Sequence, residues 1–395
     1  MKVKRENIIF AFCYIAYISI YVARLNLSIA APALKELSVL TTAQIGLLGS
    51  IFSVVYAAGR LCSGWVADRT KPWIMGSLGL VLCAVSNLLC GLLPPFNAFV
   101  LLWGCNALAQ SMLWGPILRI LSTVYPPQTA KKLASYMGSA VALGNVVGIM
   151  LTSFIIEKIG LNWAFLVPGI FTLIMSLCIL LSTKTVNPAQ AEETEASGNP
   201  LTHKGLQNML IPAVVHGVMK DNISLWMAVY VMDTFALDLE KSASYILLIP
   251  ALGFVGRLLA PRFYSLCKDN EYRLSAVCLL LCIFLSVALI FLPLSAWLAV
   301  VCLSLLYMAV STINACMLAF FPMRFAASNQ VASVSGIMDF ATYLGTGLSA
   351  MVYGRIIDNY GYDSMFGSWA VLSLLALVLL RLTLLKKAPA EQRQP

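Results

Sequence analysis

Charged side chains are scarce in this 395-residue chain, since Asp, Glu, Lys and Arg make up 11% of it while 60% is hydrophobic. A water-soluble domain cannot bury that much apolar surface, so a soluble globular protein is excluded. What the sequence has instead are repeated apolar runs of roughly 20 residues. Each is long enough to cross the ~30 Å hydrocarbon core of a bilayer as a helix.

The sequence also lacks the motifs of catalysis, metal binding and nucleotide binding. Nothing in it resembles a catalytic triad or a hydrolase motif. The eleven cysteines lie almost wholly in apolar runs, without the spacing of a disulfide framework or a metal site, which predicts packing residues. The glycine-rich stretch 138–148 has no strand–helix context for a nucleotide loop and fits close helix packing. We therefore expect no enzyme activity, no cofactor and no metal.

The apolar runs predict an all-α membrane protein with twelve transmembrane helices. The first run follows the basic start "MKVKREN", but it is too long for a signal peptide and no small-residue cleavage site follows, so we interpret it as a retained span. The predicted spans are approximately 8–32, 44–67, 73–93, 97–124, 132–156, 162–183, 207–232, 243–266, 273–293, 296–321, 330–355 and 365–385.

The lysines and arginines between the spans predict the orientation, because cytoplasmic loops carry an excess of both. Most of them lie on the side of the N-terminus, whereas the opposite side has only Lys35, Lys158, Lys241 and Arg355. Both termini are therefore expected in the cytoplasm, with the chain a monomer in the plasma (inner) membrane, surrounded by lipid. The same bias accounts for the net charge of +9, so we expect no nucleic-acid partner.

The chain divides once, at the polar stretch 184–206, which is rich in Ala, Glu, Pro and Thr and predicts a cytoplasmic linker. It separates an N-terminal six-helix bundle, 1–183, from a C-terminal one, 207–395. The halves resemble each other: "GRLCSGWVADR" (59–69) matches "GRLLAPRFYSL" (256–266), and "IIEKIGLNWAF" (155–165) matches "IIDNYGYDSMF" (356–366). A parallel duplication of six spans resembles the major facilitator superfamily, in which two bundles face a midplane cavity.

The stretch "GWVADRTK" (64–71) resembles the cytoplasmic loop signature of that superfamily. We expect Gly64, Asp68 and Arg69 to act as a cytoplasmic gate: the glycine allows close helix approach, and the aspartate pairs with a helix end or a neighbouring arginine. The alternative is a plain cytoplasmic turn. The second half has Ser265 and Leu266 where the acid would stand, so a gate there is weakened or absent.

Two cations inside the spans point to the function. Arg24 shares a helical face with Tyr17 and Tyr21, and Lys220 lies near the middle of span seven, the counterpart of span one. A cation at the bilayer centre costs at least ~2.5–3.5 kcal/mol, so each should face a polar cavity. A guanidinium and an ammonium together suit one bound phosphate or carboxylate.

A structural alternative remains open, in which Arg24 pairs with Asp339 and Lys220 pairs with Asp221. Because adjacent residues on a helix point about a quarter-turn apart, we expect Asp221 to compensate Lys220 only partly. Asp339 could balance the empty site or take up a proton as substrate leaves. His216, one turn before Lys220, is either a proton-sensing residue or a hydrogen-bonded packing residue.

The segments "YVARLN" (21–26) and "GVMKDNISLW" (217–226) resemble the first- and seventh-span motifs of the organophosphate:phosphate antiporter branch, which includes glycerol-phosphate and hexose-phosphate exchangers. "QSMLWGPILR" (110–119) resembles its fourth span. The resemblance implies that Arg24 is a phosphate ligand. Asn106 and Asn145 either line the cavity or bond across helices. The expected substrate-binding residues are Arg24, Lys220, Tyr21, Trp114, Trp226, Tyr230 and Asn145.

Three departures from that branch concern the substrate. Gly144 stands where some exchangers have a histidine, Thr346 and Ala350 stand where some hexose-phosphate importers carry an acid and a lysine, and Ala228 replaces a proline. We expect a secondary transporter of a small organic anion, most simply a phosphate ester exchanged for inorganic phosphate by alternating access. The alternatives are a proton-coupled symporter of a carboxylate and a non-transporting receptor, the latter disfavoured by cations in both halves.

Overall fold

The computed structural model describes residues 2–183, 199–236 and 248–391, and these residues form helices and short connections with no strand among them. The helices are α1 Lys2–Glu36, α2 Thr42–Arg69, α3 Pro72–Cys90, α4 Phe96–Ser111, α5 Trp114–Val124, α6 Pro127–Lys158, α7 Trp163–Thr183, α8 Lys204–Phe235, α9 Leu248–Leu266, α10 Glu271–Phe291, α11 Ala296–Ala315 and α12 Val331–Glu391. Short 3-10 turns span Pro200–Thr202 and Pro322–Phe325, and a π-helical turn spans Cys316–Phe320.

Each predicted span lies mainly on one or two helices, although a few residues of the spans, among them 91–93, 112–113 and 292–293, are not helical. Nine helical stretches in the described ranges are long and apolar enough to cross a membrane. The fourth predicted span is divided into α4 and α5, and α12 contains the last two spans. The division within α12 is at Gly361, whose φ of 76° and ψ of 177° break the helix in a region that favours glycine. The start of span eight, 243–247, lies outside the described residues.

Local sequence signals set several helix starts. The side chain of Thr41 accepts a hydrogen bond from the backbone N–H of Gln44, whose own side chain accepts from the Thr41 N–H, a capping box at the start of α2. Asn270 caps α10 through the N–H groups of Tyr272 and Arg273. These bonds satisfy N–H groups that have no partner within the helix.

The chain divides into two compact units. Unit one comprises Met1–Gly198 and Pro322–Ile337, and unit two comprises Asn199–Phe321 and Met338–Pro395. A short piece of the predicted second bundle therefore belongs to unit one. Of the predicted linker 184–206, residues 184–198 lie outside the described residues, and the remainder forms the 3-10 turn and the start of α8.

Glycines allow the helices that carry the two cations to approach their neighbours closely. In unit one, a Cβ on Gly144 of α6 would lie 2.6 Å from the Cβ of Tyr21 on α1. In unit two, a Cβ on Gly217 of α8 would collide with the carbonyl oxygen of Thr342 on α12. Close backbone packing through small residues is how membrane helices associate without a hydrophobic driving force.

Candidate functional site

The guanidinium of Arg24 lies among aromatic rings within unit one. Its Cζ is 4.7 Å from the centre of the Phe52 ring, 4.9 Å from that of Tyr56 and 5.9 Å from that of Tyr21. Phe52 and Tyr56 are nearly parallel, with ring centres 5.9 Å apart. Cation–π contacts of this kind hold a half-buried guanidinium in place and stabilise its charge.

Sequence analysis missed Phe52 and Tyr56. The signal that would have found them is the spacing of four residues, which places both rings on one face of α2 together with Arg60. What the sequence could not show is that this face meets Arg24. The contact joins two different spans, and spacing within one span gives no information about its neighbours.

Two of the predicted binding residues of unit one are linked to each other through Tyr17. The Tyr17 ring lies 5.5 Å from the Tyr21 ring and 5.2 Å from the Trp114 ring. The indole Nε1 of Trp114 donates to Ser335 Oγ at 2.9 Å, and Trp114 is only 5% exposed. Tyr21 is half-buried. In unit one, Tyr17 therefore connects Tyr21 of α1 with Trp114 of α5, and Arg24 lies on α1 beside Tyr21. The indole N–H of Trp114 is already used in a hydrogen bond.

The two asparagines with open roles differ. Asn145 is half-buried on α6, beside the Gly144 that packs against Tyr21. Asn106 is fully buried and donates to the carbonyl oxygen of Ala23 at 3.2 Å. Asn106 therefore forms a hydrogen bond between two helices, which is one of its two predicted roles. The binding role of Asn145 stays a prediction.

Lys220 forms an ion pair with its sequence neighbour in unit two. Its Nζ lies 3.4 Å from Asp221 Oδ1 and 5.8 Å from the centre of the Tyr343 ring. The hydroxyl of Thr346 lies 2.8 Å from Asp221 Oδ2 and 3.1 Å from the carbonyl oxygen of Gly217. The Lys220–Asp221 pair of the structural alternative is therefore present, and the expectation of only partial compensation stays a prediction. The long, flexible lysine chain bends to the neighbouring carboxylate.

The remaining predicted residues of α8 occupy different surroundings. His216 is 1% exposed, and neither ring nitrogen has a hydrogen-bond partner among the described residues, so it is not the hydrogen-bonded packing residue of the sequence alternative. The indole nitrogen of Trp226 is likewise buried without a hydrogen-bond partner in the described ranges. The proton-sensing role of His216 and the binding role of Trp226 remain predictions.

Tyr230 belongs to an aromatic cluster in unit two. Its ring lies 5.1 Å from those of Tyr362 and Phe366 and 6.0 Å from that of Phe235, and it is 6% exposed. The hydroxyl of Tyr362 donates to Asp233 Oδ2 at 2.8 Å. In this structure Tyr230 packs α8 against the second part of α12, while its binding role stays a prediction.

Two further charges of the spans are buried. Asp339 on α12 of unit two is 6% exposed, and Arg60 on α2 of unit one is 4% exposed. Burial of this degree requires compensation by polar or charged neighbours. The predicted part of Asp339 in charge balance or proton uptake stays a prediction.

The loop signature of unit one binds a helix end. Asp68 is 1% exposed, and its two carboxylate oxygens accept hydrogen bonds from the backbone N–H groups of Ala332 at 2.9 Å and Ser333 at 2.6 Å. These N–H groups open α12, where the helix dipole favours a negative charge. A Cβ on Gly64 would lie 2.5 Å from the Ala332 carbonyl oxygen, so only a glycine admits this approach.

The basic residues near the signature have separate partners. Arg119 donates from Nη1 to the carbonyl oxygens of Ala67 and Thr70, both at 2.5 Å, and so caps the C-terminal end of α2. Arg69 is exposed, lies 4.0 Å above the Trp65 ring and donates to the Trp65 carbonyl oxygen. Of the three predicted gate residues, the structure brings Gly64 and Asp68 to the start of α12. It places Arg69 against Trp65.

The profile of the Major Facilitator Superfamily matches residues 13–350. The chain belongs to this superfamily. It is accordingly an integral, multi-pass membrane protein of a family of transporters rather than enzymes. The prediction of an all-helical major facilitator fold is confirmed. The human organic anion transporter MFSD10 has a similar structure, with a TM-score of 0.74 at 16% identity over 95% of this chain and 99% of that one. The E. coli fucose:proton symporter FucP gives 0.76 at 14% identity over 94% and 98%.

Relatives in sequence agree with the predicted branch. A probable hexose phosphate transport protein of Chlamydia trachomatis is 28% identical over 172 residues, which are 44% of this chain but only 38% of that relative. The phosphoglycerate transporter protein of Salmonella typhimurium is 24% identical over 398 residues, 89% of this chain and 83% of that one. The membrane sensor protein UhpC of E. coli is 25% identical over 279 residues, 62% of each chain. The resemblance to the organophosphate:phosphate antiporter family is thereby confirmed.

Proposed function

We propose that this protein carries a small phosphate ester across the membrane in exchange for inorganic phosphate, by alternating access. The observation that carries the proposal is Arg24, a span-one guanidinium held by the rings of Phe52 and Tyr56 within a motif resembling that of the antiporter branch. The names of two relatives, a hexose phosphate and a phosphoglycerate transporter, support the substrate class.

The chemistry of Arg24 suits a phosphate. Stacking on aromatic rings uses the face of the guanidinium, whereas hydrogen bonding uses the N–H groups in its plane, so the two interactions do not compete. Two N–H groups of one guanidinium match two oxygens of a phosphate. Rings that hold the side chain beforehand reduce the entropy lost when the anion binds.

Lys220 and Asp221 give the second unit a means of charge balance. Their contact at 3.4 Å neutralises both charges while no anion is bound to the lysine. A phosphate dianion competes for the ammonium with a larger charge than the carboxylate, and the hydroxyl of Thr346 still supports Asp221 when the pair separates. In this proposal Lys220 is the anion ligand of unit two, and Asp221 compensates it while no anion is bound.

The same contact favours proton-coupled transport of an anion as the second candidate. A proton taken up by Asp221 would cancel its charge and release Lys220 for the anion, so that proton and anion bind together. Asp339 is the other carboxylate that the sequence offers for this task. Anion exchange and proton symport differ in whether uptake requires an anion inside the vesicle.

A competition assay tests the substrate class. Purified protein in phosphate-loaded proteoliposomes takes up labelled inorganic phosphate, and unlabelled hexose phosphate, glycerol phosphate, phosphoglycerate or lactate is added outside. We expect a phosphate ester to compete and lactate to have no effect. Competition by lactate alone would contradict the proposal. Saturable binding of a phosphate ester without any uptake would indicate a sensor, which the relative named as a membrane sensor makes a real alternative.

We also infer an orientation with both termini in the cytoplasm and residence in the plasma (inner) membrane, from the concentration of Lys and Arg on the side of the N-terminus. Protease should remove a C-terminal tag from inside-out vesicles and leave it intact on right-side-out vesicles. Removal of the tag from right-side-out vesicles would reverse the assignment.

A further inference from the structure

A buried chain of amide side chains lies beside the helical turn that carries Arg24. Asn26 of α1, Asn87 of α3 and Asn106 of α4 are fully buried, and Gln110 of α4 is 2% exposed. Asn26 Nδ2 donates to Asn87 Oδ1 at 2.7 Å, and Asn87 Nδ2 donates to Asn106 Oδ1 at 3.2 Å. Gln110 Nε2 donates to the same Asn106 oxygen at 3.1 Å. All these residues belong to unit one.

The chain of bonds fixes the orientation of the Asn106 amide. Its oxygen accepts three hydrogen bonds, from Cys83, Asn87 and Gln110, so its nitrogen must face the other way. That nitrogen donates to the carbonyl oxygen of Ala23 at 3.2 Å. The residue directly before Arg24 is therefore bonded to α4 by an amide that its own neighbours orient.

The other end of the turn is bonded as well. Asn26 Nδ2 reaches the carbonyl oxygen of Ala164 on α7 at 3.2 Å, and its Oδ1 accepts the backbone N–H of Leu27 at 2.8 Å. The turn 23–27 is thus tied to α3, α4 and α7 on both sides of Arg24. A helix turn bonded at both ends resists rotation and sliding of its one charged side chain.

We infer that Asn26, Asn87, Asn106 and Gln110 are positioning residues for anion binding, which set the height and rotation of Arg24 against the rings of α2. The inference rests on the proposed function in taking Arg24 as the anion ligand. Fully satisfied buried amide networks in a low dielectric are rigid, which suits the precise placement of a binding group. A purely structural network would stabilise the helix packing without affecting the anion.

The test compares Asn106→Leu with a control that loses a buried hydrogen bond elsewhere in unit one. Ser176 is 2% exposed, and its hydroxyl donates to the carbonyl oxygen of Ser77 at 2.9 Å, a bond between α7 and α3 that does not involve α1. Both Asn106→Leu and Ser176→Ala should lower the melting temperature. Only Asn106→Leu should raise the Kd for labelled inorganic phosphate, by at least about tenfold, because small displacements of a binding group are costly.

A second variant and a second measurement allow the inference to be tested even if Asn106→Leu does not fold or phosphate does not bind. Gln110→Met removes the hydrogen bonds from Gln110 Nε2 to Asn106 Oδ1 and Cys83 Sγ, and it replaces Asn106→Leu in the test if that variant does not fold. The ¹⁵N side-chain signal of Arg24, assigned by its loss in Arg24→Lys, reports the ring contacts directly and needs no ligand. We expect it to shift in Asn106→Leu or Gln110→Met and to stay in place in Ser176→Ala.

The outcomes separate the inference from the proposed function. If the wild-type protein binds phosphate, an unchanged Kd together with an unshifted Arg24 signal in the network variants would overturn the positioning role. If the wild-type protein does not bind phosphate, the proposed function fails. The Arg24 signal then decides alone, since a shift supports positioning of Arg24 and no shift refutes it.

Discussion

Arg24→Lys separates the shape of the guanidinium from its charge. A lysine lacks the planar pair of N–H groups with which a guanidinium binds two phosphate oxygens, so one charge-assisted hydrogen bond is lost. Loss of such a bond costs about 1.5–3 kcal/mol. The rings of Phe52 and Tyr56, at 4.7 and 4.9 Å, hold the guanidinium, whereas a lysine chain must be ordered on binding, at about 0.5–1.5 kcal/mol. The sum of about 2–4.5 kcal/mol lowers phosphate affinity about 30- to 2,000-fold.

Binding of labelled inorganic phosphate to purified protein measures this loss. The melting temperature without phosphate should stay near that of the wild-type protein, because Arg24→Lys keeps the charge and most of the side-chain volume. Arg273→Lys, an exposed residue in the first turn of α10, is the matched control and should bind phosphate normally. Wild-type affinity in Arg24→Lys would refute the binding role. A large loss of stability with intact affinity would show that Arg24 is structural.

Three other predictions concern ligand, gate and packing. In a thermal-shift assay, inorganic phosphate at one hundred times its Kd should stabilise the protein by about 2.7 kcal/mol. This stabilisation should exceed that by acetate at every concentration tested. A larger stabilisation by acetate would contradict a phosphate ligand. Asp68→Ala should destabilise unit one by about 3–6 kcal/mol, since two carboxylate bonds to N–H groups of α12 are lost, and an unchanged melting temperature would show that they contribute nothing. Gly217→Ala should prevent folding because its Cβ would collide with Thr342, whereas Gly347→Ala, with open space around it, should fold normally; equal expression of both would refute the packing.

The fold was largely accessible from the sequence, because membrane spans are set by hydrophobic length and composition. The break between the last two spans was predicted, since Gly361, with its positive φ, lies in the gap between the predicted spans 330–355 and 365–385. The division of span four into α4 and α5 was not predicted, as its apolar pattern is continuous.

The site was accessible only in part. Sequence pattern placed Arg24 and Tyr21 on one face of α1, and the structure shows the Arg24 Cζ 5.9 Å from the centre of the Tyr21 ring. Contacts between spans were not accessible, such as the rings of α2 against Arg24 or the bond from Asn106 to Ala23. The contact between Lys220 and Asp221 was left open as an alternative, since helical geometry fixes where a Cβ points but not where a long lysine chain ends.

Uptake of labelled inorganic phosphate into proteoliposomes, loaded with phosphate or left without any internal anion, tests obligatory exchange most directly. The account predicts rapid uptake into phosphate-loaded vesicles and little into empty ones, whatever the proton gradient, because the carrier returns only with a second anion bound. Equal uptake into both, driven by an inward proton gradient and abolished by Asp221→Asn or Asp339→Asn, would contradict exchange and establish proton symport.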